Sequence, residues 1–184
     1  MMNVELRRGQ LHLTPIREHW PLHDLLGFAE RINPKRAFLF VSKVLGRHIP
    51  VAPSEMRRAF SDLAAQIPDD LPEPILLIGM AETAVGLAAG VHQVLQDRYP
   101  TALFLATTRH PIDAPLLAEF REEHSHAPAH LLYGSTDPKI AAQLAATRTL
   151  ILVDDEASTG QTFINLTHAL RQSHLPKLTH VVTA

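Results

Sequence analysis

Leu150-Ile151-Leu152-Val153-Asp154-Asp155-Glu156-Ala157-Ser158-Thr159-Gly160-Gln161-Thr162 falls into three parts. The first four residues are apolar without polar alternation, which suits a strand buried on both faces of a parallel sheet. Two carboxylates, Asp154 and Asp155, end that strand. Small and hydroxylated residues follow, and then Phe163, Ile164, Leu166, Ala169 and Leu170 recur at helical spacing. The order is strand, acidic pair, small-residue loop, helix.

A small-residue loop running into a helix leaves the first-turn amides without intrahelical partners and turns the positive end of the helix dipole toward whatever sits there. Such a place accepts a phosphate, with Ser and Thr hydroxyls as further donors. Two carboxylates beside a phosphate would repel it, so their useful partners are hydroxyls that donate to them or a bridging cation. A ribose 5-phosphate offers two ring hydroxyls at about that reach. The plainer reading is an acidic turn and an N-capped helix with no ligand, since Ser, Thr and Asp are ordinary capping residues. That reading covers a bare Asp-x-x-Thr better than it covers the whole stretch.

Leu150 to Thr162 resembles the signature of type I phosphoribosyltransferases: four apolar residues, two acids, then a Thr-Gly-x-Thr loop, here Thr159-Gly160-Gln161-Thr162. The resemblance implies Mg²⁺-dependent transfer of ribose 5-phosphate from phosphoribosyl pyrophosphate to a nitrogenous base, with Mg²⁺ bound mainly through the substrate. It also implies that Asp154 and Asp155 hold the ribose 2′- and 3′-hydroxyls, and that Ala157, Ser158, Thr159, Gly160, Gln161 and Thr162 bind the 5′-phosphate. Glu156 departs from the family, which usually has Val or Ile turned into the core there. It is either a third carboxylate near the site or an outward side chain.

With 184 residues and 46% hydrophobic content, the chain can fill one core, with little left for a second independent domain. No apolar run reaches the roughly eighteen residues of a membrane helix, and Glu5, Arg7 and Arg8 break up any signal-peptide core, so a cytoplasmic protein is expected. Zero cysteines exclude disulfides and thiolate chemistry. A formal charge of −2 gives no global pull toward nucleic acid or anionic membrane. Of twelve histidines only His124 and His126 lie close together, and that pair reads as an exposed loop more readily than as a metal site, since no further ligand is suitably spaced.

Upstream of the motif, Ile75 to Ile78 is a second continuous apolar strand, followed by Gly79-Met80-Ala81-Glu82-Thr83-Ala84 and a helix from Val85. Strand, tight turn and helix again put amides at a strand's carboxyl end, where open parallel sheets bind ligands. By the resemblance, Ala81, Glu82, Thr83 and Ala84 are the pyrophosphate loop. No Gly-x-Gly-x-x-Gly or Gly-Lys-Ser/Thr pattern supports dinucleotide or P-loop binding instead. Glu82 needs Mg²⁺ between it and a pyrophosphate, or must turn away, or caps the helix. Leu103 to Thr107 reads as a third strand leading to Arg109, which is either a pyrophosphate contact or a surface charge.

Pro111 to Ala129 shows no buried period and reads as a long loop. The resemblance implies a mobile loop there that closes over the reaction. Leu131 to Tyr133 is a short strand, Asp137 to Ala146 a helix, and His180 to Thr183 a last strand. Ending in a strand is unusual, and it raises the expectation of a chain cut short of a further C-terminal domain. The repeated βα order implies an α/β, three-layer fold with a central parallel sheet and right-handed crossovers.

The N-terminal segment is less legible. Val4 and Leu6, then Leu11 and Leu13, read as short strands, as does Phe38 to Val41, with a turn at Asn33-Pro34 and a helix from Glu55 to Ile67. Arg31 to Arg58 collects seven of the seventeen Lys and Arg residues, either a solvated face or an anion-facing cap. By position, residues 1–60 match the family's hood over the acceptor base and 75–184 its core, within a single domain. Ser42 to Arg47, Val153 to Gly160 and Glu122 to His126 together resemble the orotate phosphoribosyltransferase-like proteins of bacterial tellurite-resistance and stress clusters. A homodimer is what the family implies. Two other classes stay open: a regulatory sensor of phosphoribosyl pyrophosphate or nucleotide, and nucleic-acid binding through Arg31 to Arg58, the latter disfavoured by the balanced charge.

Overall fold

A computed structural model of the chain describes residues 2–7, 9–30, 32, 38–120 and 129–184. The turn expected at Asn33-Pro34, the basic residues Arg31, Lys35 and Arg36, and the His124/His126 pair lie outside the described residues. The chain divides into two compact units, Met1–Ala59 and Phe60–Ala184.

In the first unit, β1 (Met2–Leu6) and β2 (Gly9–Leu13) form an antiparallel hairpin with Val4 opposite Leu11, as their alternation predicts. A single helical turn, α1 (Leu22–Leu25), leads into β3 (Leu26–Glu30), which pairs antiparallel with β4 (Phe38–Ser42). β4 is the predicted strand. β3 is not predicted, because Gly27 and Ala29 dilute its pattern. Phe28 and Phe38 both pack edge to face on Phe40, at 5.8 and 5.3 Å between ring centres. α2 (Pro53–Ala64) begins with proline, whose missing N–H costs nothing at that position.

The second unit holds β5 (Ile75–Gly79), α3 (Val85–Leu95), β6 (Leu103–Thr108), β7 (Leu116–Phe120), β8 (His130–Tyr133), α4 (Pro138–Ala145), β9 (Thr149–Val153), α5 (Gln161–Ser173) and β10 (His180–Thr183). Six strands make one sheet in the order β10-β9-β5-β6-β8-β7. The first four run parallel, and every residue of β5 and β9 is buried, as continuous apolar runs require.

Alternate residues of these strands face opposite layers. Leu76, Ile78, Leu150 and Leu152 join one core cluster with Leu144 of α4 and Phe163, Leu166 and Leu170 of α5. On the other face Gly79 lies so close to α3 that an added Cβ would stand 2.6 Å from the Ala88 Cβ. Helices therefore cover both faces, the expected three layers.

The central sheet is mostly parallel, as expected, with β8 antiparallel to β6 beyond the four parallel strands. One expectation is corrected. The supposed loop from Pro111 to Ala129 contains β7, antiparallel to β8, with Ala118 and Phe120 buried in the sheet's core. Its period-two signal spans only five residues and uses a small alanine as one of its inward positions, so it is hidden between Pro115 and the charged run that follows.

Before β5, Arg98 ties down the chain leaving α2. Its guanidinium donates to the carbonyls of Ala64 (2.5 Å) and Ile67 (3.0 Å), and it pairs with Asp69. The guanidinium gives the Ile67 carbonyl a donor, adds a second to the Ala64 carbonyl, which also accepts from the Ile67 amide at 3.1 Å, and suits the helix dipole. Arg98→Ala is expected to lower unfolding free energy by about 2 kcal/mol, the scale of lost hydrogen bonds to a charged donor. The check is a lower urea midpoint at an unchanged m-value.

Candidate active site

β5 continues through α3 to β6 on one side, whereas its other neighbour, β9, continues through α5 to β10 on the opposite side. The strand order therefore reverses between β5 and β9. Open α/β sheets bind ligands at the carboxyl ends of the strands flanking such a switch. The two loops read from sequence as anion sites, Ala81 to Ala84 and Ala157 to Thr162, follow these two neighbouring strands at their carboxyl ends. The Met80 amide donates to the Val153 carbonyl at 3.0 Å, continuing the β5–β9 pairing into the site.

Asp154 and Asp155 follow the buried Val153 directly, and both are half-buried. The Asp155 amide donates to Asp154 Oδ1 at 2.9 Å, and the Thr83 hydroxyl donates to Asp155 Oδ1 at 2.5 Å. This second bond joins the acidic pair to the loop after β5 across a separation of 72 residues. It brings the two candidate anion loops within one hydrogen bond of each other.

Ala157, Ser158 and Thr159 are exposed, and Gly160, Gln161 and Thr162 half-buried. Gly160 is the N-cap of α5 at φ 72°, a left-handed conformation that glycine adopts without a Cβ penalty. Having no side chain, it cannot cap the first turn as Ser or Asp would. The Thr159 hydroxyl accepts from the Gln161 amide at 3.3 Å. As first-turn amides, those of Thr162 and Phe163 have no i−4 partner within the helix. Glu156 is exposed, so it is not turned into the core as the family's Val or Ile is.

In the loop after β5, the Ala81 amide donates to the Thr107 hydroxyl at 2.7 Å and the Ala84 amide to the Met80 carbonyl at 3.1 Å. Among the described residues, the Glu82 and Thr83 amides are thus the loop donors left for a ligand. Ala84 is the N-cap of α3 and, being alanine, has no side-chain group to cap the first turn; Glu82 lies two residues before it. Its carboxylate is exposed, 4.0 Å from His110 Nε2. Arg109, half-buried, follows β6 at this same edge of the sheet, because β6 runs parallel to β5.

Thr107 and His130 escape a reading of the sequence. Both are buried, with His130 Nδ1 3.2 Å from the Thr107 hydroxyl. Nothing at their own positions marks them, since the bonds they make are long-range. Part of the basic stretch is used inside its own unit: Lys43 Nζ donates to the His23 carbonyl at 2.7 Å, and the Arg58 guanidinium lies 4.3 Å from the Trp20 ring centre.

A family model described as phosphoribosyl transferase matches residues 25–184. Comparison with curated proteins finds no match. Among solved structures, adenine phosphoribosyltransferase from Trypanosoma brucei, in complex with AMP, pyrophosphate and ribose-5-phosphate, superimposes with a TM-score of 0.58 at 12% identity, covering 100% of this chain and 74% of that one. The enzyme from Leishmania tarentolae gives 0.57 at 12% identity, over 89% of this chain and 68% of the other. That from Giardia lamblia, complexed with 9-deazaadenine, gives 0.56 at 13%, over 86% and 81%. At these identities the likeness establishes the fold. The match over residues 25–184 places the chain in the phosphoribosyl transferase family, and it is a glycosyltransferase-type enzyme.

Proposed function

We propose that this phosphoribosyl transferase moves ribose 5-phosphate from phosphoribosyl pyrophosphate to a ring nitrogen of a small base. The bond between the sugar's C1 and the pyrophosphate oxygen breaks, a C1–N bond forms, and the N–H proton of the base passes to the departing pyrophosphate or to water. The Thr83–Asp155 hydrogen bond is the observation that carries this reading: it joins an acidic pair suited to ring hydroxyls to a loop suited to pyrophosphate.

The sugar becomes cation-like as pyrophosphate departs, so Asp154 and Asp155, accepting hydrogen bonds from its hydroxyls, stabilise positive charge there. Ala157 to Thr162 hold the 5′-phosphate on the α5 N-terminus. The Glu82 and Thr83 amides and Arg109 take the charge on the leaving pyrophosphate. A Mg²⁺ carried mainly by the substrate's phosphates would have Glu82 and Asp155 as the chain's own carboxylates toward it. Bound there, Mg²⁺ would supply charge neutralisation on the pyrophosphate.

By the family resemblance, residues 1–60 are the proposed hood that reads the base. A homodimer and a stress-linked role near the tellurite-resistance clusters follow from the family resemblance. The test is a panel of purine and pyrimidine bases, each incubated with the chain, phosphoribosyl pyrophosphate and Mg²⁺, with nucleotide and pyrophosphate measured together. One base should yield both in equal amounts. Tight binding of phosphoribosyl pyrophosphate with no product from any base would favour the sensor reading instead.

A further inference from the structure

The loop after β5 is held from behind by groups that touch none of the proposed ligand. The Thr107 hydroxyl accepts the Ala81 amide at 2.7 Å and lies 3.2 Å from His130 Nδ1. His130 in turn stacks on Phe120, with ring centres 4.9 Å apart and planes 7° from parallel. Thr107 and His130 are 2% and 1% exposed. Burying an imidazole and a hydroxyl is costly unless both are bonded, so this pair needs a compensating role.

The hydroxyl's bonding explains what that role is. A Thr hydroxyl has one proton and two lone pairs. One lone pair takes the Ala81 N–H, and the imidazole takes either the proton or the second lone pair, according to its tautomer. In both cases the hydroxyl is fixed in rotation. The Ala81 amide is thereby drawn inward, and the next two amides, of Glu82 and Thr83, are the loop donors left over.

We infer that Thr107 and His130 are positioning residues, a buried buttress spanning β6 and β8 that sets the pyrophosphate loop for its ligand. Through Phe120 of β7 the same buttress links the loop to both antiparallel strands at the sheet's edge. The inference rests on the reading of Ala81 to Ala84 as the pyrophosphate loop, so its test has one arm without ligand and one with.

Thr107→Val keeps the side chain's shape and deletes the hydroxyl; Thr107→Ser restores it, and His130→Asn offers an amide near the place of Nδ1. In the ligand-free arm, amide hydrogen exchange at Ala81 should speed up about tenfold or more in Thr107→Val and return close to wild type in Thr107→Ser. Unchanged exchange at Ala81 would overturn the buttress whatever the ligand.

In the second arm, calorimetry compares inorganic pyrophosphate and ribose 5-phosphate. Thr107→Val and His130→Ala should lose about tenfold or more in pyrophosphate affinity and less than twofold for ribose 5-phosphate, with His130→Asn intermediate. Equal losses for both ligands, or a fall in melting temperature with both affinities intact, would reduce the pair to a structural role and overturn the inference. Faster Ala81 exchange in Thr107→Val, combined with a wild type that binds ribose 5-phosphate but no pyrophosphate, would overturn the loop's assignment while leaving the acidic pair standing.

Discussion

Asp154→Asn/Asp155→Asn is expected to reduce kcat/KM for nucleotide formation about a thousandfold or more, close to 4 kcal/mol of transition-state stabilisation at 1.36 kcal/mol per decade. Both side chains are half-buried at the end of a fully buried strand, so water screens the charge they present to the sugar less than at an exposed site. Asparagine preserves their shape. Its carbonyl can still accept the Thr83 hydroxyl and the Asp155 backbone amide's counterpart bond, so the fold should survive with a stability change below about 1 kcal/mol. Removing two negative charges from the site also reduces its repulsion of phosphates. Binding of inorganic pyrophosphate should therefore be kept while turnover collapses. Steady-state kinetics with a parallel urea titration checks the separation, and a double variant that retains more than a tenth of the activity would remove the acids from the mechanism.

The second large effect concerns two glycines seven residues apart in chain order, expected to respond with opposite signs. At Gly79 a Cβ would meet the Ala88 Cβ at 2.6 Å, with the Ala84 carbonyl and Val85 Cα at 3.4 Å. None of these is a flexible side-chain end, so Gly79→Ala must push α3 off the sheet, at a cost of about 3 kcal/mol. At Gly86, near the start of α3, a Cβ would meet nothing within 4 Å. Gly86→Ala should stabilise by about 0.5 kcal/mol, because alanine loses less backbone freedom in a helix. The comparison is made by thermal and urea unfolding of both variants. Loss of stability at both positions would mean that helix packing along β5 differs from the close approach described.

The same contrast shows what the sequence can and cannot disclose. β5 and β9 are legible because each is an unbroken apolar run ending in turn residues, and α3 and α5 because their apolar residues keep helical spacing. The strand–loop–helix turn at Asp154 to Thr162 is legible because its small residues and its acids are contiguous. β7 is not, since five residues with an alanine at an inward position carry too little contrast. Nor is the antiparallel direction of β8, which no local pattern encodes.

The bonds that organise the site are invisible for a different reason. Thr83 to Asp155 spans 72 residues, Ala81 to Thr107 spans 26, and Thr107 to His130 spans 23. Each joins residues whose own neighbourhoods look ordinary. Thus the loops could be placed from sequence, but which of their amides are occupied could not. Ala81 is the instructive case: a member of the candidate loop by position, it spends its amide on the protein's own Thr107.

The most direct measurement of the central claim is calorimetric titration of phosphoribosyl pyrophosphate with Mg²⁺ into the wild-type chain and into Asp154→Asn/Asp155→Asn. Saturable one-to-one binding by the wild type, weakened at least tenfold in the folded double variant, is the result predicted from ring hydroxyls held by the acidic pair. No binding by folded wild type, or equal binding by both proteins, would contradict the assignment of the β5–β9 switch point as the phosphoribosyl pyrophosphate site.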